Sequence, residues 1–279
     1  MVSDSIHIIL VFGLIGLITN SIAWKKGFYR LISYPTPKIS LRDVSALFAI
    51  YVGISFVLAS YFSVLLKKFA QPGSTTGMLI FLQFVLIILM LMGFYLYCHS
   101  QAKGLFVSVW KNPAADASSS PIYDFMLGIT AWMLAFPIVQ VVGQLLDLVL
   151  FLMLGLEGYE QVAVKYLKTA FQSPMQTILA LISIVIIAPI VEEFLFRGTL
   201  QTYLKRRFQP KTAIVISALC FGLFHFSLDQ GIGNVSLIGS LFVFGCFLGY
   251  IYERQGSLYA SIGLHLAFNF VSSVRILFS

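Results

Sequence analysis

Residues 174–203 read PMQTILALISIVIIAPIVEEFLFRGTLQTY, and this stretch decides the fold. Positions 174–191 carry no charge and are rich in branched aliphatic side chains, which is typical of a helix that crosses a bilayer. Two adjacent glutamates, Glu192 and Glu193, follow within the same apolar pattern. Ionisable groups inside a spanning helix are energetically costly and indicate a functional site by default. The stretch therefore predicts a membrane helix that carries reactive groups.

The chain as a whole also has the composition of a membrane protein. It contains 279 residues, of which 10% are charged and 59% are hydrophobic, whereas an average soluble domain has roughly 25% charged residues. A soluble domain of this size could not bury so much apolar surface. A disordered chain is excluded because such chains lack apolar and aromatic residues. The composition predicts a polytopic integral membrane protein.

Eight apolar runs approach or exceed the roughly 20 residues that a spanning helix needs. They cover residues 5–23, 43–66, 77–98, 122–152, 174–203, 211–228, 235–252 and 257–277. Because lipid offers the backbone no hydrogen-bond partners, these runs are predicted to be helices, and none alternates like a barrel strand. The predicted fold is an all-α transmembrane bundle of about eight spans, with the first run retained as a helix.

The net charge of +7 reflects basic residues that flank the apolar runs, which favours contact with anionic lipid over nucleic acid. Thirteen of the 18 basic residues fall on one side of the predicted bundle, and the positive-inside rule places that side in the cytoplasm. Both termini are then expected outside the cytoplasm, with a bacterial inner membrane as the expected location. The thirteen are Lys25, Lys26, Arg30, Lys38, Arg42, Lys103, Lys111, Arg197, Lys205, Arg206, Arg207, Lys211 and Arg254.

Two features of the apolar runs concern helix packing. Gln140, Gln144 and Asp147 share one face of the fourth run, where they are expected to pack against other helices or to line a wet groove. Gly245-x-x-x-Gly249 in the seventh run is typical of closely packed membrane helices.

Helical geometry sorts the charged residues of the fifth run. Glu193 and Arg197 are four residues apart and face each other, so they are expected to compensate each other's charge. Glu192 points about 100° away from Glu193 and is left without that cation. Pro189 cannot donate a hydrogen bond, so it frees a carbonyl one turn earlier and is expected to kink the helix near Glu192.

Two later runs carry polar residues at a similar depth. His225 lies in the sixth run, while His265 and Asn269 share one face of the eighth. Counted from the nearest basic loop, Glu192 and His225 lie roughly 20 Å deep and His265 roughly 16 Å deep. The three helices are therefore expected to bring these residues together.

Such a group suits hydrolysis of a peptide bond. A carboxylate and an imidazole can hold and deprotonate a water, and a second histidine with an asparagine can donate to an oxyanion. The chain has no GxSxG nucleophile motif and no HExxH zinc motif. Glu192, His225 and His265 could alternatively form a three-ligand zinc site with an open fourth position.

At these residues the sequence resembles the CPBP family, which includes the type II CAAX prenyl proteases and bacteriocin-processing or self-immunity enzymes. The family pattern is Glu-Glu-x-x-x-Arg, then Phe-x-x-x-His, then His-x-x-x-Asn or His-x-x-x-Asp. Here the three motifs are Glu192-Glu193…Arg197, Phe221…His225 and His265…Asn269. The resemblance covers about 174–272. It divides the chain into membrane helices without recognised motifs, 1–173, and a catalytic membrane core, 174–279.

The resemblance implies an intramembrane endopeptidase in which Glu192 and His225 activate water. It implies that His265 and Asn269 stabilise the substrate or the oxyanion, while the Glu193–Arg197 pair supports the site. The family has been described both as metalloproteases and as metal-independent enzymes. No cofactor is expected because no further acidic ligand is evident, and a divalent metal such as zinc is the alternative.

Two other functions stay open at the level of sequence. Buried Glu, His and Arg residues also form proton relays, but a proton-coupled transporter predicts related halves with paired broken helices, whereas the polar residues here concentrate near the C-terminus. A catalytically silent relative would act as an immunity or scaffold protein. The expected partners are a peptide or lipidated protein substrate, of CAAX or leader-peptide type, and the bilayer. Nucleic acid is not expected, and the oligomeric state is open.

Overall fold

Helices account for most of the chain in the computed structural model, which describes residues 2–31, 34–69, 75–101, 104–112, 120–155 and 161–278. Within these ranges there is no β-strand, and the sole bridge pairs Lys111 with Ser257. The predicted all-α membrane bundle is confirmed. Lys103, one of the basic residues used for the topology, lies outside the described residues.

Ten helices follow one another along the described chain, and a 3₁₀ segment, Leu228–Gly233, precedes the ninth. In order they are α1 Val2–Lys25, α2 Leu41–Phe69, α3 Thr75–Ser100, α4 Leu105–Trp110, α5 Pro121–Leu154, α6 Val162–Ala170, α7 Pro174–Leu204, α8 Pro210–Leu223, α9 Asn234–Gln255 and α10 Leu258–Leu277.

Seven of the described helices are long and apolar enough to cross a membrane, so the protein is a multi-pass integral membrane protein. The sixth predicted span, 211–228, is too long at its C-terminal end, because α8 stops at Leu223. Its 14 residues rise only about 21 Å, less than the roughly 30 Å hydrocarbon core. The N–H groups of His225 and Phe226 donate three residues back, to Gly222 and Leu223, and this tight turn ends the helix beside His225.

Helices α5 and α10 approach each other so closely that only glycine fits at the crossing. A Cβ atom on Gly128 would lie 2.0 Å from the Ala260 carbonyl oxygen, and one on Gly263 would lie 2.3 Å from the Phe125 carbonyl oxygen. These glycines place α10, which carries His265, directly against the long helix α5.

The close packing predicted from Gly245 and Gly249 is found where α9 meets α7 and α8. A Cβ atom on Gly245 would lie 3.0 Å from Cα of Ala218, and one on Gly249 would lie 2.5 Å from Oε1 of Gln201. The Gly245 carbonyl accepts a hydrogen bond from Nη2 of Arg197 at 3.1 Å, and the Gly249 carbonyl accepts one from Nε2 of Gln201 at 3.0 Å. Because Gly245 and Gly249 have no side chains, α7 comes close enough to hydrogen-bond to the backbone of α9 at these two positions.

The basic connections used to predict the topology meet at one end of the bundle. Arg254 Nε donates to the Phe28 carbonyl at 2.8 Å, Lys205 pairs with Glu253, and the Asn112 N–H donates to the Gly256 carbonyl at 2.7 Å. Their shared position agrees with the predicted grouping. The assignment of this end to the cytoplasm, and with it the outward placement of both termini, stays a prediction.

The polar face of α5 lines a cavity of 390 Å³ near the opposite end of the bundle. Gln140, Gln144 and Asp147 form one wall, and Arg275 of α10 donates from Nη1 to Oε1 of Gln140 at 2.9 Å. Both predicted outcomes are therefore observed: the three side chains line a groove, and Gln140 also bonds to another helix.

Candidate active site

Helix α7 changes its hydrogen-bond register on both sides of the two glutamates. The α-helical turn Ala188–Glu193 is flanked by π-helical segments at Ile182–Ile187 and Phe194–Gln201. Short π-helical turns occur frequently at functional sites, because each one shifts the direction of the residues that follow. The irregular register therefore marks Glu192 and Glu193 independently of their charge.

The proline before the glutamates leaves one carbonyl free, as predicted, and the structure identifies it. The N–H of Ala188 donates five residues back to Ser183, so the next bond in that register would run from Pro189 to the Ile184 carbonyl. Pro189 has no N–H to donate. Instead, Nδ2 of Asn269 donates to the Ile184 carbonyl at 2.9 Å.

Glu193 lies at the centre of a buried ionic group. Its Oε1 accepts from Nη1 of Arg197 at 2.9 Å, and both side chains are fully buried, so the predicted compensating pair is confirmed. The same oxygen lies 2.9 Å from Nδ1 of His265. Arg197 also donates to the Gly245 carbonyl, and its guanidinium carbon lies 4.5 Å from the ring centroid of Phe221. A buried pair needs such additional contacts to offset the desolvation of its charges.

The two histidines present the same ring nitrogen to the site. Nδ1 of His225 lies 2.9 Å from the Phe221 carbonyl oxygen, and Nδ1 of His265 lies 2.9 Å from the Glu193 carboxylate. Both partners are acceptors, so each Nδ1 carries the hydrogen. In the neutral ring, Nε2 then carries a lone pair.

Glu192 faces both of these Nε2 atoms. Its Oε2 lies 3.7 Å from Nε2 of His265 and 3.9 Å from Nε2 of His225. These separations exceed a direct hydrogen bond, and each can be bridged by a water molecule between Glu192 and a histidine. The side chain of Glu192 is 16% exposed and that of His225 is 33% exposed, whereas that of His265 is 5% exposed. The site is therefore open on the side of His225.

Two of the separations among these three groups are wider than those between neighbouring ligands of tetrahedral zinc. Bonds of about 2.0 Å to nitrogen and oxygen place neighbouring ligand atoms about 3.3 Å apart, which is less than the 3.7 and 3.9 Å between Oε2 of Glu192 and the two Nε2 atoms. No group of three or more His, Cys, Asp or Glu side chains in the described ranges has a geometry that could hold a metal ion.

Aromatic rings fix the positions of both imidazoles. The ring centroid of Phe221 lies 4.9 Å from that of His225 and 5.9 Å from that of His265, and Phe244 lies 5.2 Å from His265. All these contacts are edge-to-face. They hold the two histidines in one orientation and cover the buried side of the site.

The structure brings three of the four predicted catalytic residues together and places the fourth differently. Glu192, His225 and His265 converge from α7, the turn after α8, and α10. Asn269 shares α10 with His265, but its amide is bonded to the Ile184 carbonyl on the neighbouring helix. The catalytic roles of all four residues stay predictions.

Residues from the N-terminal helices also reach the site, and sequence reasoning missed them. A cavity of 160 Å³ has Glu192 in its wall together with Tyr51 and Ser55 of α2 and Gln83 of α3. Gln83 interrupts an apolar run, so the rule that singles out Glu192 could have found it. Tyr51 and Ser55 give no such signal, because tyrosine and serine are common within membrane helices.

Comparison with known proteins assigns the last third of the chain to a family. Residues 174–271 match the family described as type II CAAX prenyl endopeptidase Rce1-like. This confirms the resemblance stated above, and the matched segment contains all three motifs. A search of curated proteins gave no match, and a search of solved structures gave none either.

Proposed function

We propose that this chain, whose residues 174–271 form a domain of the type II CAAX prenyl endopeptidase Rce1-like family, cleaves a peptide bond in a membrane-associated substrate. The observation that carries the proposal is the convergence of three groups. Oε2 of Glu192 lies within 3.9 Å of Nε2 of both His225 and His265. The other buried carboxylates in the described ranges, Asp124, Glu193 and Glu253, each face a lysine or an arginine. This arrangement supports a water-activating site within the membrane.

In the proposed reaction, Glu192 is the general base. A water between Glu192 and His225 donates one hydrogen to the Glu192 carboxylate and the other to Nε2 of His225. As its oxygen attacks the peptide carbonyl, Glu192 takes the first proton. The protonated carboxyl then passes that proton to the leaving nitrogen when the carbon–nitrogen bond breaks, which returns Glu192 to its starting state.

We propose that His265 stabilises the tetrahedral intermediate. When its ring carries a second proton, Nε2 becomes a donor toward the oxyanion. The Glu193 carboxylate on Nδ1 orients the ring and stabilises the imidazolium, as the carboxylate of a catalytic triad does. That extra proton also balances the charges of the buried group, because Glu192 and Glu193 then face Arg197 and the imidazolium.

The cavity beside Glu192 supports a substrate that is partly held in the membrane. Its walls combine the apolar side chains Leu86, Ile87 and Met90 with the polar side chain of Gln83. We propose that the segment next to the scissile bond occupies this cavity. Prenylated CAAX peptides and leader peptides are both substrates of this kind, so both belong in the assay.

The test is a cleavage assay on the purified full chain in lipid nanodiscs. Farnesylated CAAX peptides and an apolar leader peptide are offered separately, and the products are identified by mass spectrometry. We expect cleavage by the parent chain that persists in chelator and is lost in Glu192→Ala and His225→Ala. Asp147→Ala, which removes a carboxylate from the other cavity, is the matched control and should retain activity.

Three results would contradict parts of this proposal. Cleavage that survives both substitutions would move the active site elsewhere. Cleavage abolished by chelator and restored by zinc would replace the metal-free mechanism. Glu192-dependent proton transport in liposomes, without cleavage of either peptide, would favour the transporter.

A further inference from the structure

We propose that Asn269 is a positioning residue, whose amide supplies the hydrogen bond that Pro189 withholds from the Ile184 carbonyl and so holds Glu192 opposite the two histidines. This inference rests on the proposed function, because the position of Glu192 matters through the reaction. It departs from the role in oxyanion stabilisation that the family resemblance implies for Asn269.

The need for this bond follows from the register of α7. In an α-helix the Ile184 carbonyl would accept from the N–H of Ala188, but that N–H donates to Ser183. In the π-helical register it would accept from residue 189, which is a proline without an N–H. Both backbone donors are therefore lost. An unsatisfied carbonyl is costly in a protein interior and more so at membrane depth, where water is absent.

The bond from Asn269 restores that partner and joins two helices. Nδ2 of Asn269 lies 2.9 Å from the Ile184 oxygen and comes from α10, one turn after His265. A second link joins the same helices between Glu193 and Nδ1 of His265, also at 2.9 Å.

Glu192 lies between these two links along α7. Residue 184 precedes it by two turns and Glu193 follows it directly. Two fixed points on α10 thus hold the segment that carries Glu192. The separation of 3.7 Å between Oε2 of Glu192 and Nε2 of His265 depends on both.

The positioning role and the oxyanion role predict opposite results for one pair of substitutions. In Pro189→Ala, residue 189 gains an N–H that can donate to Ile184. If Asn269 acts through Ile184, this new donor replaces it, and Pro189→Ala rescues Asn269→Ala. If Asn269 touches the substrate, the new backbone donor cannot replace it, and the double variant stays as impaired as the single one.

The experiment compares the parent chain, Asn269→Ala, Pro189→Ala and the double variant in nanodiscs, with Ser272→Ala on α10 as the control. We expect Asn269→Ala to lower kcat about 100-fold with KM little changed, which is the effect of misplacing a reactive group by about 1 Å. The double variant should recover to within about tenfold of Pro189→Ala, and Ser272→Ala should match the parent. A double variant no more active than Asn269→Ala would overturn the proposal.

Thermal unfolding of the same variants separates this proposal from the proposed function. We expect Asn269→Ala to lower Tm and the double variant to regain most of that loss, whether or not a substrate is cleaved. If the parent cleaves nothing, the proposed function fails, while the Tm values still decide whether residues 269 and 189 serve the same carbonyl. Strictly additive changes in Tm would show that they do not and would overturn the positioning role.

Discussion

Helices α7 and α2 have similarly apolar sequences, yet α7 buries 44% of its most apolar eighteen residues inside the protein, whereas α2 buries none of its own. In a water-soluble protein the sequence of a helix would show this difference, because its exposed face would be polar and its buried face apolar. In a bilayer both surfaces of a helix are apolar, because lipid replaces protein as the neighbour. In a membrane helix it is therefore the polar side chains that indicate which surface faces the protein interior. Helix α7 carries a buried ionic group, whereas α2 contributes the polar side chains of Tyr51 and Ser55 to one wall of the site.

The strongest test compares a carboxylate in the segment that matches the family, 174–271, with one in the helices that precede it. Glu192→Gln keeps the shape of the side chain but removes the base, so kcat should fall by about 10² to 10⁴, the usual contribution of general base catalysis. Asp147→Asn makes the same chemical change on α5, in the other cavity, and should leave kcat unchanged. Steady-state cleavage of the best peptide measures both. Equal losses in the two variants would remove the distinction between the cavities.

The second test concerns the buried pair. Arg197→Met leaves the fully buried Glu193 without its cation, and breaking a buried pair in this way costs about 3–5 kcal/mol. Arg275→Met, an exposed arginine of α10 that bonds to Gln140, should change stability by less than about 1 kcal/mol. Reversible unfolding in mixed detergent micelles gives both values. A loss below about 1 kcal/mol for Arg197→Met would mean that the pair contributes little to the fold.

A third comparison uses glycines. Gly263→Ala in α10 would place a Cβ atom 2.3 Å from the Phe125 carbonyl oxygen, so the crossing with α5 must open. Overpacking of this kind costs about 1–3 kcal/mol. Gly53→Ala in α2, where the added Cβ has no neighbour within 4 Å apart from the adjoining backbone of its own helix, should be neutral or slightly stabilising. The same unfolding assay tests this pair, and similar losses at both positions would contradict the tight crossing.

The sequence predicts most of the helices because the apolar runs and their basic flanks are strong local signals. It places the end of the sixth run wrongly: the residues from Leu223 to Phe226 are nearly all apolar, yet the chain already turns there. Composition cannot show that a helix stops inside a membrane when the turn that ends it is itself apolar. The π-helical register of α7 is equally invisible, because it depends on packing against other helices.

For the site, spacing along one helix and depth in the membrane are predictable, whereas the hydrogen-bond partner of a single side chain on another helix is not. The Glu193–Arg197 pair follows from a separation of four residues. The convergence of Glu192 with two histidines follows from depth, which a basic loop at one end of each helix makes countable. The partner of Asn269 could not be found in this way: Pro189 predicts a free carbonyl on its own helix, but nothing in the sequence shows that an amide on another helix bonds to it.

The smallest predicted effect concerns Gln83, the polar residue that the N-terminal region adds to the cavity of Glu192. Gln83→Leu removes its hydrogen-bonding groups from the cavity in which we propose that the substrate lies, so KM should rise about threefold to tenfold, the loss of roughly one hydrogen bond, while kcat and Tm hold. Gln144→Leu, on α5 in the other cavity, is the matched control and should leave KM unchanged. If Gln83→Leu lowers kcat and leaves KM unchanged, the N-terminal helices contribute to the chemistry itself, and the contrast between the two parts of the chain is weaker than the motifs suggest.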